Sequence, residues 1–120
     1  MEAAATLQKD MARLEQERKT TLKELENLRQ ELKNSAERSA DETDIDTYER
    51  EKTLALARAL ERKLASLDRA IEMARNGTYG ICERCGARID PARLEILPEA
   101  TLCLKCQREY ERQHRRTRVY

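Results

Sequence analysis

The first 76 residues contain neither glycine nor proline. All three glycines and both prolines fall at or beyond Gly77. These are the usual breakers of regular structure, so the long amino-terminal part of the chain predicts uninterrupted helix. The apolar spacing agrees. Leu7, Met11, Leu14, Arg18, Thr21, Leu25, Leu28 and Leu32 step by four and three throughout, and six of these eight positions are apolar. Such a narrow stripe is the a/d seam of a coiled coil. Arg18 and Thr21 interrupt it. Flanking residues such as Glu15, Glu17, Lys19 and Lys23 carry both signs of charge, as a solvated surface requires.

A second stripe follows at Leu60, Leu64, Leu67, Ile71 and Ala74, with a noisier apolar face before it at Leu54, Leu56 and Ala57. Between the stripes, residues 34–46 are rich in Ser, Asn, Asp and Thr, and Ile45 is their one long apolar side chain. This is the expected turn, with Asp46 and Glu49 forming a capping box that opens the second helix. Two helices of about 30 residues then make an antiparallel hairpin, each arm extending roughly 45 Å at 1.5 Å per residue. A hairpin buries only one seam and needs an anchor at its base. Gly77 is placed to end the second helix.

Composition supports long helices over a globular core. Charged residues make up 39% and aromatic residues 3%, with no Trp and no Phe. The formal net charge of +1 gives no global argument for nucleic acid or an acidic substrate. No apolar run approaches the roughly 20 residues that span a bilayer. The amino-terminus lacks the basic-then-apolar pattern of a signal peptide. These features predict a cytoplasmic protein without a membrane span, in which four cysteines serve as ligands rather than disulfides.

The cysteines are the sharpest chemical signal. Cys82 and Cys85 form one C-x2-C pair, seventeen residues precede the next, and Cys103 and Cys106 form the second. Two intervening residues let both thiolates of a pair reach one ion, and a tetrahedral ion joins the pairs. Four thiolates fill the tetrahedron and leave no position for water, so one structural zinc ion (Zn2+) is expected rather than a catalytic one. Thiolates also accept iron, and a redox dithiol is the other bland reading. Gly86 suits a tight knuckle with backbone N–H groups aimed at sulfur. The second pair lacks that glycine and is expected to run straight into a helix over Leu104 to Arg118. Arg84, Arg88, Lys105 and Arg108 can offset the site's negative charge. Ile89, Leu94, Ile96, Leu97 and Leu102 are candidates for a miniature core around the metal, in pieces broken by Pro91 and Pro98. His114, the one histidine, reads as a solvated residue of a basic tail.

The stretches Asn76 to Gly86 (NGTYGICERCG) and Arg93 to Gln107 (RLEILPEATLCLKCQ) resemble the zinc finger of the DksA/TraR family. The likeness runs over about residues 40–110, and the finger is its specific part. It implies a bacterial transcription regulator that binds RNA polymerase and inserts its coiled-coil tip into the secondary channel near the active-site magnesium. The family's tip motif, D-x-x-D-x-A, is met by Asp41 and Asp44 at the right spacing, whereas Asp46 stands where the family has Ala. The likeness further implies polymerase docking through the C-terminal helix, here Arg112, Arg115 and Arg116, and guanosine tetraphosphate, the stringent-response signal, at the polymerase interface. The sequence holds no self-contained nucleotide motif.

Each of these segments also has a structural reading. Residues 41–51 carry six acids against Arg50, and acids near a helix N-terminus stabilise it by roughly 0.3–1 kcal/mol each. That accounts for Asp46 and Glu49 but does not require Asp41 and Asp44. Arg108 to Arg118 carries five arginines against Glu109 and Glu111, which suits a solvated helix, an acidic docking surface or DNA. Few stacking aromatics lie nearby and no base-reading face is evident, so sequence-specific DNA binding is not expected. The expected fold is all-α: a coiled-coil hairpin over 1–76 with its acidic tip at about 39–46, a four-cysteine finger over 77–107, and a basic helix or tail over 108–120. The alternative is a nucleic-acid-binding or adaptor zinc protein that dimerises through its coil. The polar turn and capping box favour pairing within one chain, hence a monomer. No nucleophile–base set and no open metal position suggest an enzyme.

Overall fold

A computed structural model describes residues 2–38 and 44–118, and the side chains of 6–37 and 47–114. It contains α1 (Glu2–Arg38), α2 (Asp44–Arg75), α3 (Pro91–Ile96) and α4 (Leu104–Arg118). Among the described residues the one extended pairing is an isolated antiparallel bridge between Ile81 and Arg88. None of the described helices is long and apolar enough to cross a membrane.

The two long helices lie antiparallel. Among the described residues, three ion pairs cross between them: Arg18–Asp68 at 2.5 Å, Glu17–Lys63 at 3.4 Å and Arg29–Glu61 at 3.6 Å. Beneath them runs the seam. Leu14, Leu25, Leu67, Ala70 and Ala74 are fully buried, and Ala57 and Ile71 are nearly so. The densest packing is at the base, where Leu14 meets Leu67, Ala70, Ile71 and Ala74, with Met11 and Tyr79 against them. Both seam interruptions fit this geometry. Thr21 is 2% exposed, its short side chain taking the place of a leucine. Arg18 lies at the seam's edge, where its guanidinium reaches Asp68. The radius of gyration is 18.1 Å, against about 14 Å for a compact chain of this length. The molecule is therefore an arm with a knob at one end.

The turn is shorter than the polar composition of residues 34–46 suggests. Asn34 to Arg38 continue α1, and α2 is already helical at Asp44. Polar residues other than Gly and Pro remain tolerable in an exposed helix, and Gln30 bonds Asn34 at 3.1 Å across one turn of α1. The arms are accordingly 37 and 32 residues long. Asp46 lies within α2 rather than at its cap, so the expected capping box does not form there. At the noisy start of the second stripe only Ala57 points inward, and Leu54 and Leu56 face solvent, as does Leu7 in α1.

At its other end α2 closes as its glycine requires. Gly77 has φ +78. Its N–H bonds the Ala74 carbonyl at 3.2 Å, and the Thr78 N–H bonds that of Met73 at 2.8 Å. These two bonds satisfy the carbonyls of Met73 and Ala74 through a left-handed cap, and the chain turns directly into the finger.

Candidate functional site

The first knuckle grows from the bridge at Ile81 and Arg88. The Cys82 N–H bonds the Ala87 carbonyl at 2.7 Å, and the Ile89 N–H bonds that of Gly80 at 2.8 Å. Between them the chain reverses at Gly86, φ +77, whose N–H bonds the Cys82 carbonyl at 2.9 Å. α3 starts where Asp90 accepts from the Ala92 N–H at 3.0 Å, with Pro91 as its first residue. The second pair joins α4 without a break: Cys103 precedes Leu104, and its carbonyl takes the Gln107 N–H at 2.9 Å. The finger's core is Cys82, Ile89 and Cys106, with Leu94, Leu102 and Cys103 packed on it. Ile96 and Leu97 do not join it. They are 79% and 38% exposed, because a six-residue helix ending before Pro98 turns only one short face inward.

All four sulfurs lie within 4.8 Å of one another. The Cys85 and Cys103 sulfurs, from opposite pairs, are 3.7 Å apart. A tetrahedron with zinc–sulfur bonds of about 2.3 Å has an edge of about 3.8 Å, so the donor set fits one zinc ion. The knuckle bonds are those that the position of Gly86 leads one to expect. Burial raises the Cys82 thiol, but N–H groups of Cys103, Cys85 and Arg84 and the Cys85 side chain outweigh it and lower the pKa to about 6. Cys103 is lowered chiefly by the Cys106 N–H, in the first turn of α4. Cys106 is pushed up to about 12, first by burial and then by the three neighbouring cysteines. Four such sulfurs cannot all carry charge at this spacing without a cation, and zinc supplies it. Cys82, Cys85, Cys103 and Cys106 are thus the ligands of one structural zinc.

Among the described residues, three side-chain contacts join this finger to the arms, and no spacing rule announces them. Tyr79 packs its ring against the core at the base of the arms. The Tyr79 hydroxyl donates to the Pro98 carbonyl at 2.8 Å. Arg69 of α2 grips both carboxylate oxygens of Glu83, at 2.9 and 2.5 Å. The Arg13 guanidinium of α1 donates to the Glu95 carbonyl. Tyr79 is half-buried, and its pKa is raised to about 12, mostly by burial and then by Asp10, with Arg13 opposing and Glu99 adding. Burial likewise raises Asp10, against the pull of Arg13. A tyrosine beside a glycine turn and an arginine on a helix face obey no spacing rule, so only the close approach of α1 to the finger reveals this group.

The other expected site residues stand apart from the metal. Asp41 lies outside the described residues. Asp44 begins α2, at the far end of the arm from the cysteines. Arg112 projects from α4 and pairs with Glu109 at 3.4 Å. Arg115 and Arg116 continue that helix, their side chains outside the described set. His114 is exposed and stacks on Tyr110 with ring centroids 3.9 Å apart, away from the ligand set.

Comparison with known proteins agrees with this geometry. Residues 77–112 match the prokaryotic dksA/traR C4-type zinc finger. The RNA polymerase-binding transcription factor DksA of Caulobacter vibrioides is 38% identical over 86 residues, covering 70% of this chain and 61% of that protein. The protein of the same name from Escherichia coli is 33% identical over 78 residues, covering 63% of this chain and 52% of that protein. The chain therefore spans between about half and three-fifths of the length of these curated relatives. Among solved structures, transcription factor DksA2 from Pseudomonas aeruginosa superposes with a TM-score of 0.75 at 29% identity, covering 92% of this chain and 87% of its own. The match takes in the finger and extends along both arms, and the chain belongs to the DksA/TraR family of C4-type zinc-finger proteins.

Proposed function

We propose that this chain is a bacterial transcription regulator that binds RNA polymerase and acts through the tip of its hairpin in the secondary channel. The observation that carries the reading is the shared architecture: an arm of two long helices on a metal-bound base, superposing with a transcription factor over 92% of this chain. The chemistry fits that role. The four thiolates leave zinc no open position, so the metal holds the base and the activity must lie elsewhere. Asp44 begins α2 at the free end of the arm, and Asp41 precedes it by three positions in the chain. Carboxylates there can act on basic side chains or on a hydrated magnesium ion without holding the metal themselves. Asp46, the departure from the family's alanine, adds a third carboxylate and changes the charge the tip presents. Arg112, Arg115 and Arg116 of α4 offer cations for an acidic surface on the polymerase. This is a cytoplasmic monomer without enzymatic activity, and guanosine tetraphosphate acts at its joint surface with polymerase.

The direct test is binding. Tagged, zinc-loaded protein should retain core RNA polymerase at physiological salt and bind free duplex DNA no more tightly than a non-specific cation does. Tight DNA binding that falls steeply with salt, with no polymerase retained, would replace this reading by the nucleic-acid-binding one.

A further inference from the structure

The arm and the finger have separate cores. Leu14, Leu67, Ala70, Ile71 and Ala74 close the base of the arm, while Cys82, Ile89 and Cys106 close the finger. The backbone joins them through the cap at Gly77 and Thr78, whose bonds to α2 hold the chain only as far as Thr78. The structure points to a three-point lock: Arg69 on Glu83, Arg13 on the Glu95 carbonyl, and the Tyr79 ring on the arm's core hold the finger at one angle to the arm. We propose that these are positioning residues for the hairpin tip.

Geometry makes the lock. The contacts leave the arm from α2, from α1 and from the core at its base, and they meet the finger at the first knuckle, at α3 and at Tyr79, which is itself bonded to the loop after α3. A single contact leaves a body free to rotate about it, and two leave it free to swing about their line. Three contacts on separate parts of the finger remove that swing. Stability does not explain the lock, since the Arg69 side chain is 66% exposed and exposed ion pairs contribute little. Tyr79 is different, because its ring packs against the arm's core while its hydroxyl is tied to Pro98 within the finger. Leverage makes the angle matter. About 25 residues separate Arg69 from Asp44, a rise of roughly 38 Å, so a 10° swing at the base moves the end of α2 by about 7 Å. Reacting or contacting groups tolerate far less displacement than that.

The test uses zinc-loaded, full-length protein and residual dipolar couplings of its backbone amides. In the unaltered chain one alignment tensor should fit both arms and the finger. In Arg13→Ala/Arg69→Ala/Tyr79→Ala, zinc should stay at one per chain. The arms and the finger should then need two different alignment tensors, with the finger's couplings scaled down relative to those of the arms. A single tensor for that variant would overturn the lock. The ion pair is checked by exchange: Arg69→Glu should loosen the finger and Arg69→Glu/Glu83→Arg should restore the single tensor. Failure of the exchanged pair to restore it, with zinc still bound, would remove Arg69 from the lock. The consequence for the tip rests on the polymerase reading. There the loosened triple variant should lose most of its effect on transcription, and a full effect would overturn the positioning role. If the unaltered protein had no effect on transcription, the polymerase reading would fail while the dipolar-coupling result still decided the lock.

Discussion

Removing zinc should unfold the finger and leave the arms. The finger's one fully buried aliphatic side chain is Ile89, 1% exposed, and burying it stabilises by about 2–3 kcal/mol. A structural zinc supplies about 10–16 kcal/mol in small fingers. The metal therefore contributes most of what holds the finger together, and without it α3 and α4 lose their support. These helices hold 6 and 15 residues, against 37 and 32 in the arms. The arms keep a core built from their own residues, Leu14 against Leu67, Ala70, Ile71 and Ala74. Chelation followed by circular dichroism at 222 nm should thus remove roughly a quarter of the helical signal, and amide protection should vanish from about residue 78 onward. Cys103→Ser should behave like the chelated protein. Intact protection of Cys82 to Cys106 without metal would refute the structural role of zinc. Loss of all helix would refute an independent core in the arms.

Leu67→Ala should cost about 2–5 kcal/mol in chemical unfolding, since it empties a fully buried position, whereas Leu56→Ala on the exposed face should stay within about 0.5 kcal/mol. Gly77→Ala should cost about 1–2 kcal/mol from the left-handed backbone alone, because open space surrounds its Cβ position; a neutral result would mean that the cap relaxes. Tyr79 should ionise last in an absorbance titration at 295 nm, near its pKa of about 12, with that step absent from Tyr79→Phe. Its folded pKa is raised, so its contribution to stability is complete below the unfolded value near 10 and is lost as pH rises through about 12. A Tyr79 step at the ordinary value would remove the basis for its burial against Asp10 and Glu99.

The cysteine spacing and the leucine stripes are legible in the sequence because each follows a strict period tied to a metal tetrahedron or a helical seam. Leu14, Leu25, Leu67, Ile71 and Ala74 are buried as their spacing requires, and Gly77 caps α2 as its position suggests. The extent of the turn is not legible, because composition marks where a helix can end, not where it must. Asn34, exposed, and Ser35, partly buried, remain helical, and Asp46 follows Asp44 into α2. Hydrophobicity alone places Ile96 and Leu97 in the finger's core, but a helix of one and a half turns cannot bury every apolar side chain it carries. The contacts of Arg13, Arg69 and Tyr79 between arm and finger link residues far apart in the chain and obey no local pattern. They become visible only when the two cores are set side by side.

We propose a division of labour between a zinc-bound base and an acidic tip, and in vitro transcription with purified RNA polymerase tests that division most directly. The zinc-loaded protein should change output from a promoter with a short-lived open complex. Asp41→Asn/Asp44→Asn should still be retained by polymerase yet leave output at the level seen without the protein. An unchanged effect from that double variant would contradict the account, because the chemistry would then lie somewhere other than the end of the arm.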